Sequence, residues 1–165
     1  MITGHQVEKI QKVIDANRTF VITTHHNPDG DALGSEIAMA EYLKYLNKEV
    51  YIINNSIIPN NYQFLDPDNE IFVFRKEQHS EIISAADAFL ILDISDWERL
   101  REIGEIIQNS TSPKICIDHH HIEYKFVDIE VINEAASSTG EILYDFLKAV
   151  KFPLTNRAVI ALYTC

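Results

Sequence analysis

The 165-residue chain carries 25 acidic against 14 basic side chains, a formal charge of −11, in a composition 46% hydrophobic and 24% charged. This balance suits one globular domain with a sizeable core, and its acidity argues against binding along duplex DNA, because a negative surface repels long polyanions. No apolar run nears the ~20 residues that span a bilayer, which excludes a helical membrane anchor within this sequence.

The elements alternate. Val7, Ile10, Val13 and Ile14 recur at helical spacing, which predicts an amphipathic helix over 5–17. Phe20 to Thr24 is a short β-branched strand. Leu33, Ile37, Ala40, Leu43 and Leu46 predict a second helix, and Val50 to Ile53 a second strand. The polar stretch with Pro59, Asn60, Asn61, Asp66 and Pro67 reads as a loop. A strand over Ile71 to Phe74 and a short helix over 79–86 follow. Phe89 to Asp93 is a central strand, Trp97 to Ile107 a helix and Lys114 to Asp118 another strand. Val127 to Ile132 has the character of an edge strand. Ser138-x-x-Glu141 has the form of a capping box opening a helix to about Val150, and Thr155 is placed to cap a last helix.

Strands alternating with helices of this length imply βαβ units, hence an α/β fold with a mainly parallel sheet and helices on both faces. The strands near 20, 50, 89 and 115 are continuously apolar, as burial of both sheet faces requires. Ligands of such sheets bind beyond the carboxyl ends of the strands. The N-terminus MITGHQVEKIQKVID lacks the basic-then-apolar layout of a signal peptide. Cys116, inside a strand, and Cys165 make no disulfide framework, so a reduced, cytoplasmic protein is expected.

Three groups of acidic and imidazole side chains fall at those strand ends. His25, Asp29 and Asp31 follow the first strand on a turn with Pro28 and Gly30; Pro28 stiffens it, and Gly30 is read as permitting backbone geometry that a bulkier residue resists. Asp93 ends a fully apolar strand, where a carboxylate is costly unless paired or bound to metal. A helix-capping role there suits Asp96 better. Asp118-His119-His120 ends a third strand, and adjacent histidines point different ways, so one can ligate metal while the other faces substrate. His26 and His121 read as solvent-exposed bystanders, and His5 and His79 as residues of polar helix faces. Mixed imidazole and carboxylate donors suit Mn²⁺ or a similar first-row ion better than Ca²⁺. Two such ions sharing a carboxylate activate water without a serine or cysteine nucleophile. Neither a G-x-x-x-x-G-K-[ST] loop nor a G-x-G-x-x-G fingerprint occurs. In Asp29-Gly30-Asp31 the first aspartate does not end a strand directly, as the D-x-D of aspartyl-phosphate phosphatases does.

These residues resemble the DHH phosphoesterases. His25-x-x-Pro28-Asp29-Gly30-Asp31-Ala32-Leu33-Gly34-Ser35 is similar to the first motif of that superfamily, Asp93 to the second, and Asp118-His119-His120 to the triplet that names it. Ala136-Ser137-Ser138-Thr139-x-Glu141 resembles a segment of its nanoRNase and pAp phosphatase branch. The Gly-Asp-Ala-Leu-Gly-Ser continuation is closer to nanoRNases than to manganese pyrophosphatases. The resemblance implies that His25 and Asp29 hold one divalent ion and Asp31 and His119 a second, with Asp93 bridging. It further implies that His120 contacts the scissile phosphate and that Asp118 supports the histidines.

It also implies a fourth, Thr-Asp-Thr-Gly-like motif after the helix ending near Thr164, and a second, substrate-binding domain. Residues 1–165 are then a catalytic domain incomplete at its C-terminus and weakly active or inactive alone. The expected substrates are short oligoribonucleotides or 3′-phosphoadenosine 5′-phosphate. A non-catalytic nucleotide-binding module, a pyrophosphatase and a cyclic or linear dinucleotide phosphodiesterase remain alternatives.

Overall fold

A computed structural model describes residues 2–94, 96–121, 124–125 and 127–165. Its elements are α1 (Gly4–Ala16), β1 (Thr19–Thr23), α2 (Gly30–Tyr45), β2 (Glu49–Asn54), β3 (Ile71–Val73), α3 (Lys76–Ala85), β4 (Ala88–Leu92), α4 (Arg101–Asn109), β5 (Lys114–Asp118), β6 (Ile129–Ile132), α5 (Thr139–Ala149) and α6 (Asn156–Thr164). The six strands form one sheet in the order β3-β2-β1-β4-β5-β6, and every neighbouring pair is parallel. The α/β reading of the sequence is therefore correct, and parallel pairing extends to the edge strand β6.

Period-2 alternation along the strands feeds two cores. Phe20, Ile22, Leu90, Leu92, Ile115 and Ile117 pack with α1, α2, α5 and α6. Val21, Phe89, Ile91 and Cys116 pack on the other face with Ile83 of α3 and Ile103 and Ile107 of α4. Residues on both sides of these strands are fully buried, which explains their unbroken apolar runs.

Helix α2 is covered nearly all round. Small residues make that possible: a Cβ on Gly34 would lie 2.3 Å from the Ala161 carbonyl oxygen of α6, and one on Gly140 would lie 2.4 Å from Cys165. Gly30 acts in the same way, since an added Cβ would stand 2.8 Å from the Thr164 carbonyl oxygen. The described glycines all have ordinary φ, and the left-handed residue of this turn is Asn27, at φ 57°. The turn thus needs Gly30 for close approach, which corrects the conformational role read from the sequence.

Other differences are local. The helix expected over 97–107 is a 3₁₀ turn, Trp97–Leu100, followed by α4, with Arg101 at φ 51° between them. The loop around Pro59 contains a 3₁₀ turn, Asn60–Leu65. Ser138 does cap α5 by accepting from the Glu141 N–H, but the Glu141 carboxylate returns to the N–H and hydroxyl of Ser137. His79 is buried rather than on a polar face: its Nδ1 accepts from the Arg75 N–H, and its ring lies against Phe72 and Phe74.

Strand order reverses between β1 and β4, the place where ligands of open parallel sheets bind. The segments after β1, β4 and β5 emerge there side by side.

Candidate metal centre

The site is built around Asp93, the residue following β4. It is 1% exposed and has φ 56°, a left-handed conformation that costs a non-glycine residue roughly 1–2 kcal/mol and that aspartate tolerates better than most. Its N–H donates to the Ile117 carbonyl of β5 at 3.0 Å, so the sheet ladder itself holds the turn. The two carboxylate oxygens then face different partners. Oδ2 lies 3.5 Å from His25 Nε2, and Oδ1 lies 3.8 Å from His119 Nε2 and 3.6 Å from His120 Nδ1.

His25 leaves β1 buried, with Nδ1 3.0 Å from the His26 carbonyl. Donation from Nδ1–H to that carbonyl leaves the Nε2 lone pair directed at the cluster, the tautomer a metal ligand needs. Burial lowers the His25 pKa; the Asp93 carboxylate and the His26 carbonyl outweigh it and hold it above the ordinary imidazole value. The loop beyond is pinned to the segment after β2: Ser56 Oγ accepts from the Asn27 N–H at 2.8 Å and bonds His26 Nδ1 at 2.6 Å.

Asp29 is the N-cap of α2, one oxygen accepting from the Asp31 and Ala32 N–H groups at 3.1 Å. Asp31, in the first turn of the helix, accepts from the Thr139 N–H at 2.8 Å and from the Gly140 N–H at 2.9 Å. These are unpaired donors of the first turn of α5, where a helix favours negative charge. Asp31 Oδ2 is also 3.6 Å from His119 Nε2. Burial, then the nearby Asp93 charge, raises the Asp31 pKa against the pull of those two N–H groups.

Asp118, the last residue of β5, is fully buried and turns one oxygen on His120, accepting from its N–H at 3.0 Å and bonding Nδ1 at 2.8 Å. Its contact is with His120; no bond joins it to His119 among the described residues. His119 and His120 pack ring to ring at 4.2 Å. His121 is exposed and bonded to Glu134, and His26 is exposed, so both stay outside the cluster.

Among the described residues, two sets of donor atoms come within 4.8 Å of one another: His25, Asp29 and Asp93, and Asp93, His119 and His120. Asp31 joins through its contact with His119. The structure thus brings together all five residues read as ligands and adds His120 to the second set.

A resident cation fits these residues on two grounds. Separations of 3.5–3.8 Å are longer than ordinary hydrogen bonds but near the ~3.0–3.4 Å between two donors that each sit ~2.1 Å from one ion. Moreover, the lysine and arginine ion pairs among the described residues go to Glu41, Asp66 and Glu70, and none reaches Asp29, Asp31, Asp93 or Asp118.

Residues without an assigned role in the sequence complete the arrangement. Thr139 Oγ1 donates to Asp93 Oδ1 at 3.0 Å, while its N–H binds Asp31, so one residue steadies two of the carboxylates. A helix cap at Ser138 was the available signal, because it leaves the next N–H groups free for an anion. Behind the site, Asn54 accepts from the Thr24 N–H at 3.2 Å and donates to Glu36 at 2.8 Å. Glu36 is fully buried, and burial pushes its pKa up to about 8 despite the Asn54 hydrogen bond. Nothing in the residue spacing marks Glu36 as part of this support.

Known proteins share this architecture. A 158-residue alignment with the bifunctional oligoribonuclease and PAP phosphatase NrnA of Mycoplasma pneumoniae is 28% identical and covers 91% of this chain and 45% of that protein. The protein of the same name from Thermus thermophilus is 27% identical over 128 residues, covering 76% and 35%. The crystal structure of an exopolyphosphatase-related protein from Bacteroides fragilis superposes with a TM-score of 0.94 at 25% identity, covering 99% of this chain and 49% of that one. The chain spans less than half the length of these proteins. The family model described as DHH family, N-terminal domain, matches residues 19–164, nearly the whole chain and every site residue described above, and the chain belongs to that family.

Proposed function

We propose that the domain is the catalytic part of a two-metal phosphoesterase acting on short oligoribonucleotides, 3′-phosphoadenosine 5′-phosphate, or both. The observation that carries this reading is the division of Asp93 between two donor sets, one oxygen toward His25 and the other toward His119 and His120. His25, Asp29 and Asp93 would hold one ion; Asp93, Asp31 and His119 would hold the other. Mn²⁺ suits this mixture of nitrogen and oxygen donors. Divalent ions held there would neutralise phosphoryl charge and acidify an attacking water.

The remaining groups position and donate. Asp118 fixes His120 through both its backbone and ring N–H, so the half-exposed imidazole keeps one orientation, with Nε2 left for a phosphoryl or leaving-group oxygen. Thr139 and the Gly140 N–H hold Asp93 and Asp31 in place before substrate arrives, which removes reorganisation from the reaction. The names of the two NrnA relatives support the substrate class, and the net charge of −11 supports short substrates, because attraction must come from the site rather than the surface.

The test is a substrate panel with Mn²⁺: RNA of two to five nucleotides, 3′-phosphoadenosine 5′-phosphate, pyrophosphate, and long duplex DNA. Fastest turnover of the first two is expected. Preference for pyrophosphate would move the domain to the pyrophosphatase reading, and preference for long duplex would overturn the proposal.

A further inference from the structure

Beside the metal centre lies a cleft of about 350 Å³ lined by His26, Asp96, Glu98, Arg99 and Arg101. Both arginines are exposed, and among the described residues neither forms an ion pair. Unpaired guanidiniums are unexpected in so acidic a protein. Arg157 and Lys44, by contrast, are paired with carboxylates.

The cleft has a built backbone. Leu100, between the two arginines, is fully buried and anchors the turn. The carbonyls of Arg99 and Leu100 are tied in succession to the loops after β1 and β2: Arg99 O accepts from the His26 N–H at 3.1 Å, and Leu100 O accepts from Asn55 Nδ2 at 2.6 Å. Arg101 adopts φ 51°, ψ −137°, an unfavourable conformation for a residue with a side chain, retained where surrounding contacts over-determine it. His26 is the neighbour of the metal-facing His25, and the Arg99 charge is close enough to act on the His25 imidazole. A group bound here would therefore adjoin the metal centre.

We propose that Arg99 and Arg101, with the free edge of His26, form a subsite for a second phosphate group of the substrate, next to the phosphate that is cleaved; this rests on the phosphoesterase reading above. Arginine forks match phosphate oxygens in paired hydrogen bonds. Asp96 accepts from the Glu98 N–H at 2.9 Å, and with two carboxylates and two guanidiniums along its lining the cleft has no net formal charge. The cleft thus offers directed donors without a positive field, which suits one phosphate and disfavours a long polyanion. A nucleotide bearing two phosphates, or a short phosphodiester with a terminal phosphate, has this chemistry.

The experiment compares the wild-type protein with R99Q, R101Q and the double variant in Mn²⁺, using 3′-phosphoadenosine 5′-phosphate as the two-phosphate ligand and bis(p-nitrophenyl) phosphate as the one-phosphate probe. The double variant is expected to raise KM for the first about tenfold or more and to leave kcat/KM for the second within about twofold, since exposed substitutions barely disturb folding. Equal losses on both substrates, or no loss on either, would overturn the subsite. If the wild-type protein binds no Mn²⁺, the phosphoesterase reading fails; if it binds Mn²⁺ but hydrolyses neither, calorimetric binding of 3′-phosphoadenosine 5′-phosphate and adenosine 5′-monophosphate decides the subsite separately. Weakening of the bisphosphate alone in the double variant supports it; unchanged binding of both, or equal weakening, refutes it.

Discussion

Two clusters of carboxylates sit near α2, and they meet opposite fates. Glu41, Asp66 and Glu70 surround Arg157 and Lys44, and Asp66 also accepts from the Glu70 and Ile71 N–H groups. Every charge there has a cationic partner within the chain, and the cluster fastens α6 and the segment before β3 to α2. Asp29, Asp31, Asp93 and Asp118 are gathered near one another as well, but the partners provided are imidazoles, N–H groups and the Thr139 hydroxyl. Acidic side chains with lysine or arginine among them stabilise a fold. The same side chains with histidines at ligand spacing leave a charge to be met by a cation.

The comparison breaks if the two clusters respond alike to mutation. Asp93→Ala removes the carboxylate proposed to be shared by two ions and is expected to lower Mn²⁺-dependent kcat/KM about 1000-fold and to abolish tight Mn²⁺ binding by calorimetry, with a folded circular-dichroism spectrum retained. Asp66→Ala should do the reverse, costing about 1–3 kcal/mol in urea unfolding through the two freed N–H groups of Glu70 and Ile71, with Arg157 keeping Glu41 and Glu70, while leaving Mn²⁺ affinity unchanged. Loss of metal affinity in Asp66→Ala would erase the distinction.

Thr139→Val sharpens it within the metal cluster. The β-branched shape and the N–H to Asp31 remain, and only the hydroxyl to Asp93 is lost, so Mn²⁺ affinity should fall about 10-fold with little change in melting temperature. A fall in stability with unchanged affinity would make Thr139 a packing residue.

Glu36 lies between these extremes, a buried carboxyl with one oxygen accepting from Asn54 and the other unpartnered. Its folded pKa of about 8 stands above the ordinary 4.5, so the folded state binds more protons than the unfolded one between those values. Stability from this group is full below about pH 4.5 and is lost as pH rises through about 8. Glu36→Gln should therefore flatten the decline in melting temperature between pH 5 and 9, gaining on the order of 10 °C over wild type at the alkaline end. Parallel curves for the two proteins would contradict the neutral buried acid. The smallest effect belongs to His121→Ala: the exposed pair with Glu134 is worth less than about 1 kcal/mol, and turnover should stay within about twofold.

What was legible in the sequence was legible because it is local. Apolar runs gave the strands of a two-sided parallel sheet, Ser138 and Thr155 gave helix starts, and strand-end residues marked His25, Asp93 and Asp118-His119-His120 as one site, since parallel strands deliver their carboxyl ends to one edge. Other features depend on which elements meet. Gly30 and Gly34 are fitted to α6, and Gly140 to Cys165; their need for a missing Cβ is set by a helix more than a hundred residues away or by Cys165 beyond it, so no local turn signature reveals it. His79 reads as polar by spacing but is covered by Phe72 and Phe74 once β3 and α3 fold together. The attachment of Asp31 to the start of α5, the hold of Thr139 on Asp93 and the placement of Arg99 beside His26 are likewise contacts between distant segments. The sequence determined which donors are present and at which end of the sheet they emerge. Only the tertiary structure decided which donor faces which, because side-chain distances across a sheet follow from register and packing rather than from spacing along the chain.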